Sequence, residues 1–298
     1  MLWQLSPTLT LDLMRPRVMA ILNITPDSFA DGGKHLAVAD ALAAAVRCVD
    51  EGAAMLDVGG ESTKPGSHAV SEADQITRVV PVIRAIRASS HAVAKTSISI
   101  DTTRAAVAAA ALDAGANAVN DISAGTDDAQ MLPLIARHRC GVILMHRLVA
   151  PARDSFSDAY AKPPHYDDAV TTVRDYLLAR ATAALAAGIS KDCIMLDPGL
   201  GFGKSVDDNL RLIAATPTLA ATGYPILSGL SRKSFVGRVS LHRDSTPAER
   251  LEGTLALSVL HYQLGCRLFR VHDVQPHARA LAAAEAIAMS GMSQKTTA

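Results

Sequence analysis

The sequence predicts a single-domain (β/α)8 TIM barrel, and three observations carry that reading. Eight short runs of aliphatic residues alternate with eight alanine-rich stretches of helical spacing along the 298 residues. The runs show little apolar–polar alternation, as parallel strands covered on both faces require. No break in composition divides the chain, so closure of eight units is favoured over an open doubly wound sheet.

Residues 1–16 read as an N-terminal extension across the barrel bottom, 17–289 as the barrel, and 290–298 as a disordered tail. The first strand, 17–24, opens into a polar, glycine-containing loop, 25–33. The helix over 38–51, with Leu42, Val46 and Val49 on one face, closes at Gly52, a C-cap position. A strand at 54–58 runs into the loop 59–66, and Ser71 and Asp74 suit the start of a helix over 71–88. A strand at 97–101, a helix over 103–114 stopped by Gly115, and a strand at 117–122 follow. A helix to about Arg139 precedes the strand 141–146. The irregular segment 147–165 leads to a helix over 167–187, ended by Gly188. Residues 193–196 form a strand that halts at Asp197, and a helix spans 206–215. The strand 224–228 leads into 230–235, and a helix over 246–264 stops at Gly265. The last strand, 266–271, precedes a helix from about Pro276 to Met289.

Composition narrows the partners. Lys+Arg and Asp+Glu balance at 29 each and charged residues make up only 19%, so no field of one sign recruits nucleic acid or an anionic membrane. Small-molecule substrates are expected. The four cysteines have no CxxC spacing, which suits reduced thiols. Neither a leader pattern nor a membrane-length apolar run is present, and a cytoplasmic location is expected.

The strands end on polar residues: Asn23, Asp57, Asp101, Asn120, His146, Asp197, Ser228, Arg270 and His272. In a barrel these ends share one mouth, the active-site face. The stretch 196–205, LDPGLGFGKS, invites a phosphate-loop reading, but Pro198 stands where that motif needs its first glycine. Asp101, Asn120 and Asp197 instead offer acceptors and an amide to a flat nitrogen heterocycle, with Lys233 donating to its carbonyl. A guanidine-like ligand edge would neutralise such buried carboxylates. Asn23, Thr63, Lys64, Arg270 and His272 supply donors and charge fit for a diphosphate. Zinc spacing is absent, whereas Asn23 with diphosphate oxygens can hold Mg²⁺. Without a nucleophile elbow, catalysis rests on orientation and leaving-group stabilisation. Asp57 reads equally as a site residue or a strand-end turn; His146 reads as a packed residue, Asp121 and Asp273 as structural, and Lys204 carries the least weight in its motif.

Taken in order, ILNITPDSF (21–29), DVGGESTKPG (57–66), SIDTT (99–103), NDI (120–122), LMH (144–146), LDPGLGFGK (196–204), GLSRKS (229–234) and RVHDV (270–274) make the chain resemble the dihydropteroate synthase family over nearly its whole length. That family is the sulfonamide target of folate biosynthesis. The resemblance implies a transferase joining 4-aminobenzoate to dihydropterin-methyl diphosphate with SN1 character, Mg²⁺ as cofactor, and a homodimer. It implies a pterin slot of Asp101, Asn120, Ile122, Met145, Asp197, Phe202, Gly229 and Lys233. Thr63, Lys64, Pro65, Phe202, Ser231 and Lys233 would frame the aminobenzoate. Asn23, Thr63, Arg270 and His272 would grip diphosphate, Asn23 ligating the metal. Asp101 and Lys233 would act in catalysis, with Phe29 and Asp31 on a loop closing over the reaction.

The chain departs from the family pattern in three places. Lys64 stands where many relatives carry arginine, turning a bidentate contact into a point charge. Arg147-Leu148-Val149-Ala150-Pro151 replaces the Met-x-Gly-x-Pro turn after His146, and the segment to His165 is long. The alternatives are a non-catalytic pterin-binding paralogue and a barrel moving methyl groups from methyltetrahydrofolate to a corrinoid. The latter needs none of the TPDSF, ESTKPG or SRKS stretches.

Overall fold

The computed structural model describes residues 1–24 and 33–293, with side chains for 1–24 and 37–290. It opens on an antiparallel hairpin, β1 (Leu2–Ser6) and β2 (Leu9–Asp12). The barrel strands are β3 (Arg17–Asn23), β4 (Met55–Gly59), β5 (Ser97–Asp101), β6 (Ala118–Asp121), β7 (Gly141–Met145), β8 (Ile194–Asp197), β9 (Leu227–Ser228) and β10 (Leu268–Val271). Their order is β8-β7-β6-β5-β4-β3-β10-β9, parallel at every ladder. One parallel bridge, Leu196 to Ile226, brings the two end strands together. This is the (β/α)8 barrel expected from the alternation of runs.

The helices are α1 (Gly33–Asp50), α2 (Glu72–Ala88), α3 (Ala105–Asp113), α4 (Met131–His138), α5 (Ala169–Ala186), α6 (Val206–Ala214), α7 (Thr216–Ala220), α8 (Ser234–Leu241), α9 (Leu251–Gln263) and α10 (Val274–Ser293). Ser71 caps α2 by accepting from the Asp74 N–H, and Ser205 with Asp208 forms a capping box on α6. Every residue of β4 through β8 is buried, which explains why alternation was missing from their sequences. Outward-facing Leu56, Ile98, Val142 and Ile194 pack in one cluster with Ile83, Val107, Ile135 and Leu177 of the helices.

A second cluster fills the bottom. Met19, Met55, Ala118, Met195, Leu227 and Leu268 come from the strands, and Trp3, Leu5, Leu11 and Leu13 come from the first thirteen residues. Trp3 is fully buried and its Nε1–H donates to the Cys193 carbonyl at 2.8 Å. The hairpin therefore lies under the strands, and the polar ends above them are the accessible side.

Several boundaries differ from those read in the sequence. Helices α7 and α8 were not anticipated. The first has only five residues, and the second carries Gly237 and two valines, poor helix formers that tertiary burial of Phe235 and Val236 overrides. Strand β9 is only two residues long because Pro225 lacks a ladder donor. The last helix continues through Ser293 rather than ending at Met289, since a single glycine costs only about 1 kcal/mol and no proline interrupts it. No described helix is long and apolar enough to cross a membrane. All four cysteines are free thiols.

Candidate active site

Four strands are tied together at the mouth by one ionic network. Asp57, on β4, is fully buried and accepts from Ser99 Oγ at 2.5 Å, Asn120 Nδ2 at 3.0 Å and Arg270 Nε at 2.5 Å. The same guanidinium reaches Asp101 Oδ2 through Nη2 at 2.6 Å, while Asp101 Oδ1 is buried with no partner. Burial pushes the Asp101 carboxyl up to about 7, Arg270 pulling against it and Asp57 adding to it. Arg270 is held above its ordinary value because Asp57 and Asp101 outweigh the burial that opposes its charge. Sequence reasoning left Asp57 open and passed over Ser99. Their register on adjacent strands, Asp57 opposite Ser99, was the available signal.

Asp197 ends β8 and is 5% exposed. Its Oδ1 accepts the Gly199 N–H at 2.7 Å, and burial raises its carboxyl while Lys233 counters. The chain then turns sharply. Gly199 has φ +66°, and a Cβ there would lie 1.8 Å from the His146 carbonyl oxygen. Gly201, at φ +80°, lies so close to Lys233 that a Cβ would meet its Cδ at 2.6 Å. That approach seats Lys233, whose Nζ donates to the Leu200 carbonyl and lies 4.2 Å from the Phe202 ring centre. Burial lowers Lys233 to about 7, with Asp197 opposing.

Lys204, given least weight from its motif, is wholly buried and organises this turn. Its Nζ donates to the carbonyls of Gly199 (2.9 Å), Phe202 (2.9 Å) and His146 (3.3 Å), and sits 3.0 Å from His146 Nδ1. Burial and then the Lys204 charge bring the His146 imidazole down to about 3. Its ring meets Tyr176 edge-on at 4.9 Å, so His146 is a packed residue. Asp121 accepts from Ser123 and Gly125, and Asp273 pairs with Arg232, both in structural roles.

A cavity of about 230 Å³ opens beside this floor. Asn23, Thr63, Lys64, Pro65, Phe202, Ser231, Lys233, Arg270 and His272 line it. Thr63 also lines an adjoining cavity of about 120 Å³ that contains Asp101 and Ile122. The loop bearing Thr63, Lys64 and Pro65 is braced at its base, where Glu61 accepts from Gln75 Nε2 and the Val70 N–H. Ser231 Oγ and His272 Nδ1 are 3.1 Å apart, and burial lowers His272 to about 4, leaving it neutral at pH 7. Met145 is buried on β7, and a Cβ on Gly229 would come 3.5 Å from Asp197 Oδ2. Phe29 and Asp31 lie outside the described residues.

Two side chains carry contacts the sequence did not show. Arg270 is engaged by two buried carboxylates in addition to lining the 230 Å³ cavity. The Lys233 ammonium meets a backbone carbonyl and an aromatic face, with Asp197 nearby as a longer-range charge. Among the described residues no three His, Cys, Asp or Glu side chains cluster as a metal site.

Comparison with known proteins agrees with this fold. The family of pterin binding enzymes matches residues 19–272. A dihydropteroate synthase of Streptococcus pyogenes is 44% identical over 258 residues, covering 87% of this chain and 90% of that protein. Two structures of dihydropteroate synthase from Xanthomonas albilineans superimpose closely. One, with 4-aminobenzoic acid, has a TM-score of 0.83 at 41% identity, and the other, in complex with 7,8-dihydropteroate, 0.79 at 40%. Both cover 93% of this chain and 95% of theirs. With the barrel, its polar mouth and these relatives in agreement, the chain belongs to the dihydropteroate synthase family of pterin-binding enzymes.

Proposed function

We propose that the chain condenses (7,8-dihydropterin-6-yl)methyl diphosphate with 4-aminobenzoate to give 7,8-dihydropteroate and diphosphate. The observation that carries this is the buried acceptor set of Asp101, Asn120 and Asp197 beside a cavity walled by Phe202 and Lys233. The unpartnered Asp101 Oδ1 lacks a donor that a pterin N–H supplies. Asp197 accepts from the guanidine-like edge of the pterin, and Lys233 turns from the Leu200 carbonyl to the pterin carbonyl. Ile122, Met145 and Gly229 hold the ring by contact. The amine substrate lies between Phe202 and the Thr63-Lys64-Pro65 loop, its carboxylate facing Ser231.

In the reaction the methylene C–O bond breaks and its electron pair leaves with diphosphate. The amine lone pair then forms the C–N bond, and the ammonium proton passes to solvent. Asp101, in its carboxylate form paired with Arg270, stabilises the carbocation-like methylene within a dry site. Thr63, Lys64, Arg270 and His272 receive the departing diphosphate. Asn23, the neutral oxygen ligand lining that end, would hold Mg²⁺ together with diphosphate oxygens, a sparse protein contribution typical of this ion. When bound, the ion supplies charge neutralisation to the leaving group.

Exposed Leu260, Ile287 and Met289 on adjoining helices α9 and α10 support a homodimer through that face. Four free thiols support a reducing, cytoplasmic setting. The activity is tested by incubating the protein with both substrates and Mg²⁺. Dihydropteroate and diphosphate are expected in equal amounts, with a sulfonamide competing against 4-aminobenzoate. Tight binding of the pterin diphosphate with no product would leave a non-catalytic pterin-binding protein.

A further inference from the structure

The segment 147–165, which departs from the family pattern, is built into both substrate loops. The Gly66 N–H donates to the Pro151 carbonyl at 2.9 Å, joining the segment to the Thr63-Lys64-Pro65 loop. Asp154 is 8% exposed and its Oδ2 accepts the Gly203 N–H at 2.8 Å, while Tyr166 OH donates to the Gly203 carbonyl at 2.7 Å. Asp154 Oδ1 accepts from Tyr160 OH at 2.5 Å, and Ser157 Oγ accepts from Asn209 Nδ2 at 3.1 Å. Asn209 in turn accepts the Gly201 N–H at 2.6 Å. These bonds hold the segment against the turn that carries Phe202.

Their result is a phenyl ring held at the cavity mouth. Phe156 lines the 230 Å³ cavity together with Lys64, Pro65 and Phe202, yet 47% of it remains exposed. A large apolar side chain held at a cavity mouth by buried polar anchors on either side gains most when a flat apolar group covers it. We infer that Phe156 is a specificity-determining residue, forming an outer wall that selects a slim, unsubstituted aryl amine as second substrate. The inference rests on assigning this cavity to 4-aminobenzoate.

Phe156 touches the amine alike before and during reaction, so its loss acts on KM and not on kcat. In steady-state kinetics Phe156→Ala is expected to raise KM for 4-aminobenzoate about 3- to 10-fold, the range an aromatic contact gives. The value of kcat and the KM for pterin diphosphate stay within about twofold. The same variant improves kcat/KM for a 3-alkyl-4-aminobenzoate relative to 4-aminobenzoate, and Phe156→Tyr restores the wild-type ratio. Phe202→Ala serves as the control for the site itself. If Phe202→Ala raises the amine KM and Phe156→Ala does not, the wall is refuted while the amine site stands. If neither changes it, the cavity does not hold the amine and both readings fall. A joint change in both KM values and kcat, with a lowered Tm, would assign Phe156 to folding and overturn the proposal.

Discussion

Removing the guanidinium from the mouth network gives the most direct measure of what that network does. In Arg270→Met, Asp57 and Asp101 lose the cation that bonds both at 2.5 and 2.6 Å while remaining buried. Stranding a buried charge costs about 3–5 kcal/mol. Protonation offers the only cheap escape, and its cost depends on pH. Neutralising one carboxyl with an ordinary value of 3.8 takes about 5.7 kcal/mol at pH 8 but only about 1.6 kcal/mol at pH 5. The loss is therefore expected to be about 3–5 kcal/mol at pH 8 and about 2 kcal/mol at pH 5. The sign follows from Asp101: its carboxyl, raised in the native state, binds more protons folded than unfolded. Stability then falls as pH climbs from the unfolded value through the folded one. Urea denaturation of both proteins at the two pH values, followed by circular dichroism, reads the difference. A loss equal at pH 5 and pH 8, or below about 1 kcal/mol at pH 8, would show that Arg270 does not neutralise these carboxylates.

Three further outcomes are expected. Asp197→Asn should weaken pterin binding in calorimetry by about 2 kcal/mol, the worth of a charged hydrogen bond in a dry site; unchanged affinity would remove Asp197 from the slot. Gly199→Ala places a Cβ 1.8 Å from the His146 carbonyl at φ +66°, so a drop of several degrees in Tm together with lost pterin binding is expected. A variant with native Tm and affinity would contradict the described turn. Lys64→Arg restores a bidentate donor on the exposed loop and should tighten inhibition by diphosphate while leaving pterin affinity alone. The opposite pattern would place Lys64 on the pterin side.

What the sequence revealed and what it hid divide along physical lines. The barrel was legible because Gly52, Gly115, Gly188 and Gly265 stop helices locally and the strands read as unbroken apolar runs. The mouth was legible because Asp101, Asn120 and Asp197 end such runs, and a strand direction fixes which end they share. Asp57 remained ambiguous because its partners, Ser99, Asn120 and Arg270, lie 42, 63 and 213 residues away. Lys204 was undervalued for the same reason as any buried lysine: composition places it on the surface, and only the converging carbonyls of His146, Gly199 and Phe202 explain its burial. Helix α8 was hidden because Ser234–Leu241 has weak local propensity and is helical through packing.

The two-residue strand β9 and the lone Leu196–Ile226 bridge make the barrel a ring fastened by a clasp. Asp197 hangs on one side of that clasp, and Lys233 follows β9 on the other. In the proposed pose a flat ligand would bond to both, spanning the join and fastening it where backbone pairing is thinnest. Ligand affinity and closure of the barrel are then one linked equilibrium, and each strengthens the other by the same free energy.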